Sequence, residues 1–197
     1  MTISKYIYDF LYNFFRGSST AHDDILGILQ SAQTGGTAWS IEAITGTPFI
    51  IGALRNNSGD IVQVSLQTPH RRKLQSNLDS IHVHYVLQAA SLANDTIIWT
   101  GRYAWVTVGS EIPETASWTA FTGVGLTQDL GVAKNARYYG IHSIQANIVP
   151  PANEDYGSIL LIELIRGNGT YAGNLAIIQV DAHTIIDRLG SLNEASD

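Results

Sequence analysis

There is no cysteine among the 197 residues of this chain. That excludes disulfides, zinc–thiolate centres and cysteine nucleophiles. Charge is scarce too: Asp, Glu, Lys and Arg make up 14% of the chain, against about 25% in an ordinary globular protein. A surface with so little charge is poorly protected against self-association, so a homo-oligomer is expected. The net charge of −6 argues against nucleic acid as a main partner. No run reaches the roughly 18 unbroken apolar residues of a membrane span. The N-terminus has no basic region followed by a plain aliphatic run, so neither a membrane partner nor a signal peptide is expected. Gly-x-Ser-x-Gly elbows, P-loops and dinucleotide fingerprints are missing as well. Gly123-Val124-Gly125 lacks both the third glycine and the strand–helix context.

What the chain does have is two kinds of periodicity. Over residues 3–16, Ile3, Tyr6, Ile7, Phe10, Leu11, Phe14 and Phe15 recur at three- and four-residue spacing. This predicts an amphipathic helix closed by Gly17. Thr20 and Asp23 stand at capping-box spacing ahead of Ile25, Leu26, Ile28 and Leu29, which predicts a second short helix. From Trp39 onward the period changes to two. Alternating segments at 49–54, 61–66, 79–87, 97–108, 118–121, 138–149, 158–166 and 175–183 are separated by breaks rich in Gly, Asn, Asp and Pro. Strands joined by turns, with no helical pattern between them, indicate a mainly β fold: an antiparallel, jelly-roll-like sandwich with an N-terminal amphipathic helical arm. The division expected is a helical arm and linker over 1–36, the sandwich over 37–192 and a short tail over 193–197.

The candidate chemistry centres on Ile81-His82-Val83-His84-Tyr85. In a strand, His82 and His84 share one face while Ile81, Val83 and Tyr85 line the other. His183 ends a late strand beside Asp181, which shares its face; His70 lies upstream of the pair. Imidazoles with a carboxylate suit a divalent metal if the two strands are neighbours. The reading adopted is the plainer one, in which His82 and His84 are hydrogen-bonded rim or interface residues, and His82, His84, His183 and Asp181 as metal ligands are the alternative. No cofactor is otherwise expected. Asp23-Asp24 and Glu154-Asp155 are paired carboxylates at cap or turn positions. Arg71-Arg72-Lys73 reads as a solvated turn or an intersubunit ion pair. Trp99, Tyr103 and Trp105 alternate along one strand and read as core filling.

Several segments taken in order resemble a β-rich family found widely in tailed bacteriophage and prophage genomes. They are Pro69-His70, Ile81–Tyr85, Ile97-Ile98-Trp99 with Tyr103 and Trp105, Gly157–Leu164 and Asp181–Ser191. The resemblance spans about residues 60 to 192. It departs from the usual pattern at Tyr85, where the family has tryptophan, and around Arg71-Arg72-Lys73, where the family is more acidic. Members are generally uncharacterised or treated as virion structural components. The resemblance therefore implies assembly rather than catalysis and transfers no catalytic residues.

The expectation is a non-enzymatic virion protein, assembled in the bacterial host cytoplasm. It would oligomerise and dock on portal, capsid or spike proteins through Tyr6, Phe10, Phe14 and Phe15. Two alternatives stand beside it: a β-sandwich that binds host-surface glycan through exposed aromatics, and a metal-dependent enzyme centred on the histidine pair.

Overall fold

A computed structural model describes residues 21–31, 37–38, 40–55, 60–69, 72–114, 117–122 and 126–186. Twelve strands are present among them: β1 (Ala21–Ser31), β2 (Thr37–Ala38), β3 (Ser40–Ala43), β4 (Ile50–Leu54), β5 (Asp60–Gln67), β6 (Leu78–Leu87), β7 (Thr96–Val106), β8 (Thr119–Ala120), β9 (Thr127–Asp129), β10 (Tyr139–Ile148), β11 (Ile159–Arg166) and β12 (Leu175–Ile186). No α-helix occurs among the described residues. The predicted arm helix, with Tyr6, Phe10, Phe14 and Phe15, lies outside them, as does His70.

The strands form two antiparallel sheets in a sandwich-like arrangement. In sheet A, β12 pairs with β6, and β6 with β10. The other edge of β12 carries β4 near its start and β1 near its end. In sheet B, β5 pairs with β11, and β11 with β7. The far edge of β7 takes β9 and β8. Strand β1 joins the sheets: Ala21–Leu26 pair with β12, and Gly27–Ser31 pair with β5. The transfer falls at Gly27, a residue type suited to a strand that turns a corner between sheets.

The second predicted helix is therefore corrected. Residues 21–31 are a strand, and the sheets begin at Ala21 rather than at residue 37. The helical spacing of Ile25, Leu26, Ile28 and Leu29 is a local preference of only a few tenths of a kcal/mol per residue. Hydrogen bonding on both sheets outweighs it.

The core lies between the sheets and follows the period-two pattern. Ile81, Val83, Tyr85 and Leu87 of β6 meet Val62, Val64 and Leu66 of β5 and Leu160, Ile162 and Leu164 of β11 in one buried cluster. Trp99 is completely buried there, with Tyr103 and Trp105 packed against it. Those three aromatics fill the core as predicted. Arg72, by contrast, is not in a solvated turn. It is fully buried and pairs within the chain, Nε to Glu154 Oε1, at 2.8 Å. Glu154 correspondingly sits in this pair rather than in an exposed turn. The reason is compensation: a guanidinium tolerates burial when a carboxylate and further acceptors satisfy it.

Candidate functional site

The question left open by spacing was whether the two histidine-bearing strands are neighbours. They are, and the register places Asp181 directly across from His82 and Gln179 across from His84. A β-bulge makes this possible. The pairing shifts between Ile177 and Gln179, so Ile178 is the extra residue and stands 42% exposed. Up to the bulge, Leu175 and Ile177 face the core; beyond it, Val180 and Ala182 do. The extra residue reverses the phase of the strand. Asp181 then points with His82 to the outer face of sheet A, where unbroken alternation would have turned it inward.

On that face Asp181 is nearly sealed, at 2% exposure. Its Oδ2 accepts a hydrogen bond from Gln179 Nε2 at 2.9 Å and lies 2.6 Å from His84 Nε2. His84 Nδ1 is hydrogen-bonded to the Tyr139 hydroxyl at 2.5 Å. Tyr139, His84 and Asp181 thus form one line of polar contacts running from the edge strand β10 into the sheet. The Tyr139 and His84 rings lie 5.9 Å apart.

His82 is held differently. Its Nε2 is 2.7 Å from Ser80 Oγ, two residues back on the same strand face. Its Nδ1 is 3.2 Å from Asp181 Oδ1, close enough for an ion pair if the ring were protonated. The approach is not aligned for a hydrogen bond, and Oδ1 is buried without a hydrogen-bond partner among the described residues. His183 packs edge-to-face on His82, with ring centroids 4.1 Å apart. Burial lowers the His82 pKa, and the neighbouring His183 lowers it further; Asp181 opposes both. On the β1 side, the register positions across from Asp181 and His183 are Leu26 and Asp24.

All four predicted residues are therefore brought together. Sequence reasoning missed Ser80, Gln179 and Tyr139. Ser80 and Gln179 were within reach, since each lies two residues before a site residue and so shares its face. Tyr139 comes from β10 through a pairing that spacing does not reveal.

No family model matches the chain, and no curated protein matches it. Among solved structures, the chain is similar to the N-terminal cellulose-binding domain of Cellulomonas fimi β-1,4-glucanase C. The identity is 12%, over 81% of this chain and 86% of that one, with a TM-score of 0.26. At that score the likeness carries no argument about this chain.

Proposed function

We propose that this protein is a binding module whose ligand is carbohydrate, recognised on the outer face of sheet A. The observation that carries the reading is Tyr139. The residue is 49% exposed, while its hydroxyl is hydrogen-bonded to His84. A pinned, accessible aromatic face stacks on the C–H face of a pyranose, and flanking polar groups then select hydroxyls. The flank is present here in Ser143, His82, His84 and Gln179, with Ile141 adding apolar surface. Trp99, entirely within the core, is not among the exposed aromatics available to a glycan. The alternation of β4, β5, β6, β7, β10, β11 and β12 between the two sheets supports the jelly-roll form of sandwich.

The test is a glycan array and affinity electrophoresis against soluble polysaccharides. Wild type is expected to bind a defined saccharide class, and Tyr139→Ala to lose at least tenfold in affinity with its fold intact. A wild-type protein that retains no saccharide, or a Tyr139→Ala protein that binds normally, removes the reading.

A second reading is assembly into a homo-oligomeric virion component. It is favoured by apolar exposure along the β10 edge of sheet A, with Tyr139 at 49% and Ile141 at 50%. A long edge strand with apolar side chains invites pairing with another chain. Docking through Tyr6, Phe10, Phe14 and Phe15 belongs to this reading. Light scattering on the full chain and on Ile141→Lys checks it: the substitution should yield monomers. A monomeric wild type would end it.

A further inference from the structure

We propose that His82, Asp181 and His183 form a site for one divalent transition-metal ion, with Ser80, His84 and Gln179 orienting two of the three ligands. The site does not rest on the carbohydrate reading.

The three side chains each offer a donor atom, and these atoms lie within 4.8 Å of one another. The stronger observation is how the remaining atoms are used. Asp181 Oδ2 is occupied by the Gln179 Nε2 donor and by His84 Nε2 at 2.6 Å. Oδ1, sealed from solvent, has no hydrogen-bond partner among the described residues. An orphaned buried carboxylate oxygen costs of the order of 1–3 kcal/mol or more, a cost that a bound cation would offset. His82 faces the same point. In the tautomer whose Nε2–H donates to Ser80 Oγ, the Nδ1 lone pair is directed at the side of Oδ1, 3.2 Å away. In that tautomer a cation held between the two acceptors relieves their repulsion. His183, edge-on to His82, supplies the third donor.

This is the arrangement of a metal centre with its outer shell in place. A ligating histidine normally gives its other N–H to a hydroxyl, carbonyl or carboxylate, and a ligating carboxylate is itself hydrogen-bonded. His84 is then a positioning residue, because both of its nitrogens are engaged by Tyr139 and Asp181. That separates it from the metal-ligand set expected from sequence.

Two imidazoles and one carboxylate select zinc or another late first-row ion over calcium or magnesium, which prefer oxygen donors. Bonds of about 2.0–2.1 Å would draw the donors inward by side-chain rotation. Three protein ligands leave at least one coordination position for water or an oxygen of a bound molecule.

The experiment is titration of EDTA-treated, desalted full-length protein with Zn²⁺ by calorimetry and with Co²⁺ by visible absorption. One-to-one binding is expected, with a Co²⁺ ligand-field band and no Ca²⁺ binding over the same range. His183→Ala and Asp181→Asn should each weaken Zn²⁺ at least 100-fold. His84→Gln and Ser80→Ala should weaken it about 10- to 100-fold, as outer-shell changes do. If Asp181→Asn fails to fold, His183→Ala decides, since its ring is only half-buried. Absence of saturable one-to-one binding, or wild-type affinity in His183→Ala, overturns the proposal.

Discussion

Arg72 and Glu154 are 82 residues apart in sequence and form a 2.8 Å ion pair with both side chains fully buried. Arg72 also donates to Thr184 Oγ1 and the Ser76 carbonyl, and lies 5.9 Å from the Trp105 ring centroid. Glu154 Oε2 accepts the backbone N–H of Gln75 at 2.7 Å, at a residue held in the left-handed region with φ 63. The pair thus ties the segment before β6 to the end of β12 and to the turn before β11.

Removing one charge of this pair should cost far more than replacing both. Glu154→Gln leaves the Arg72 guanidinium buried without a counter-charge, and the expected loss is about 3–5 kcal/mol. Urea denaturation should show a lower midpoint at an unchanged slope. The double variant Arg72→Met/Glu154→Leu should recover much of the loss, because an apolar pair avoids the desolvation penalty. A Glu154→Gln protein as stable as wild type would show that solvent reaches the pair.

How much of this was legible beforehand depends on the range of the interaction. Alternation within a strand is local, so the inward set Ile81, Val83 and Tyr85 and the outward set His82 and His84 could be read directly. So could the inward placement of Trp99. Strand β1 could not, because its apolar residues fit helical spacing and only pairing with β12 and β5 makes it a strand. The partnership of His82 with Asp181 depends on register, which no spacing encodes. A faint trace of the bulge does exist: the apolar pattern of β12 stumbles at Ile177-Ile178 before resuming at Val180 and Ala182. Buried Arg72 was illegible because its neighbours in sequence are basic, while its partner lies in a distant turn.

Gly140 stands across from Tyr85 in the β10–β6 register, and the tyrosine ring occupies the space a side chain would need. A Cβ at position 140 would lie 2.5 Å from the Tyr85 hydroxyl and 2.6 Å from its Cζ. That hydroxyl donates to Gln128 Oε1 at 2.7 Å, so the ring cannot swing aside without losing the bond. Gly140→Ala is expected to destabilise by about 1–3 kcal/mol through overpacking. Tyr85→Phe in the same background should relieve part of that, while costing roughly 1 kcal/mol in the wild-type background. Thermal unfolding of the four proteins of this cycle measures the coupling. Strict additivity would mean that the ring and the glycine do not share the space.

Alkaline pH should unfold the protein through its buried tyrosines. Burial raises the pKa of Tyr85, Tyr103 and Tyr171 above the ordinary value of about 10. Each therefore keeps its proton longer in the folded state than in the unfolded state. The stability this contributes is fully present below pH ~10 and is lost as pH rises from there through the folded-state values. Arg166 works in the opposite direction. Burial pushes its guanidinium down to about 10, while carbonyls of Leu54, Gly173 and Tyr171 accept its N–H groups. It remains charged at neutral pH, and its earlier proton release adds stability as pH rises above about 10. Three tyrosines against one arginine leave a net loss. Phenolate absorbance should accordingly include a late cooperative phase coincident with loss of the β-sheet circular dichroism. Tyr85→Phe should reduce the amplitude of the late phase. A single phase completed while the sheet signal is intact would show that these rings are open to solvent.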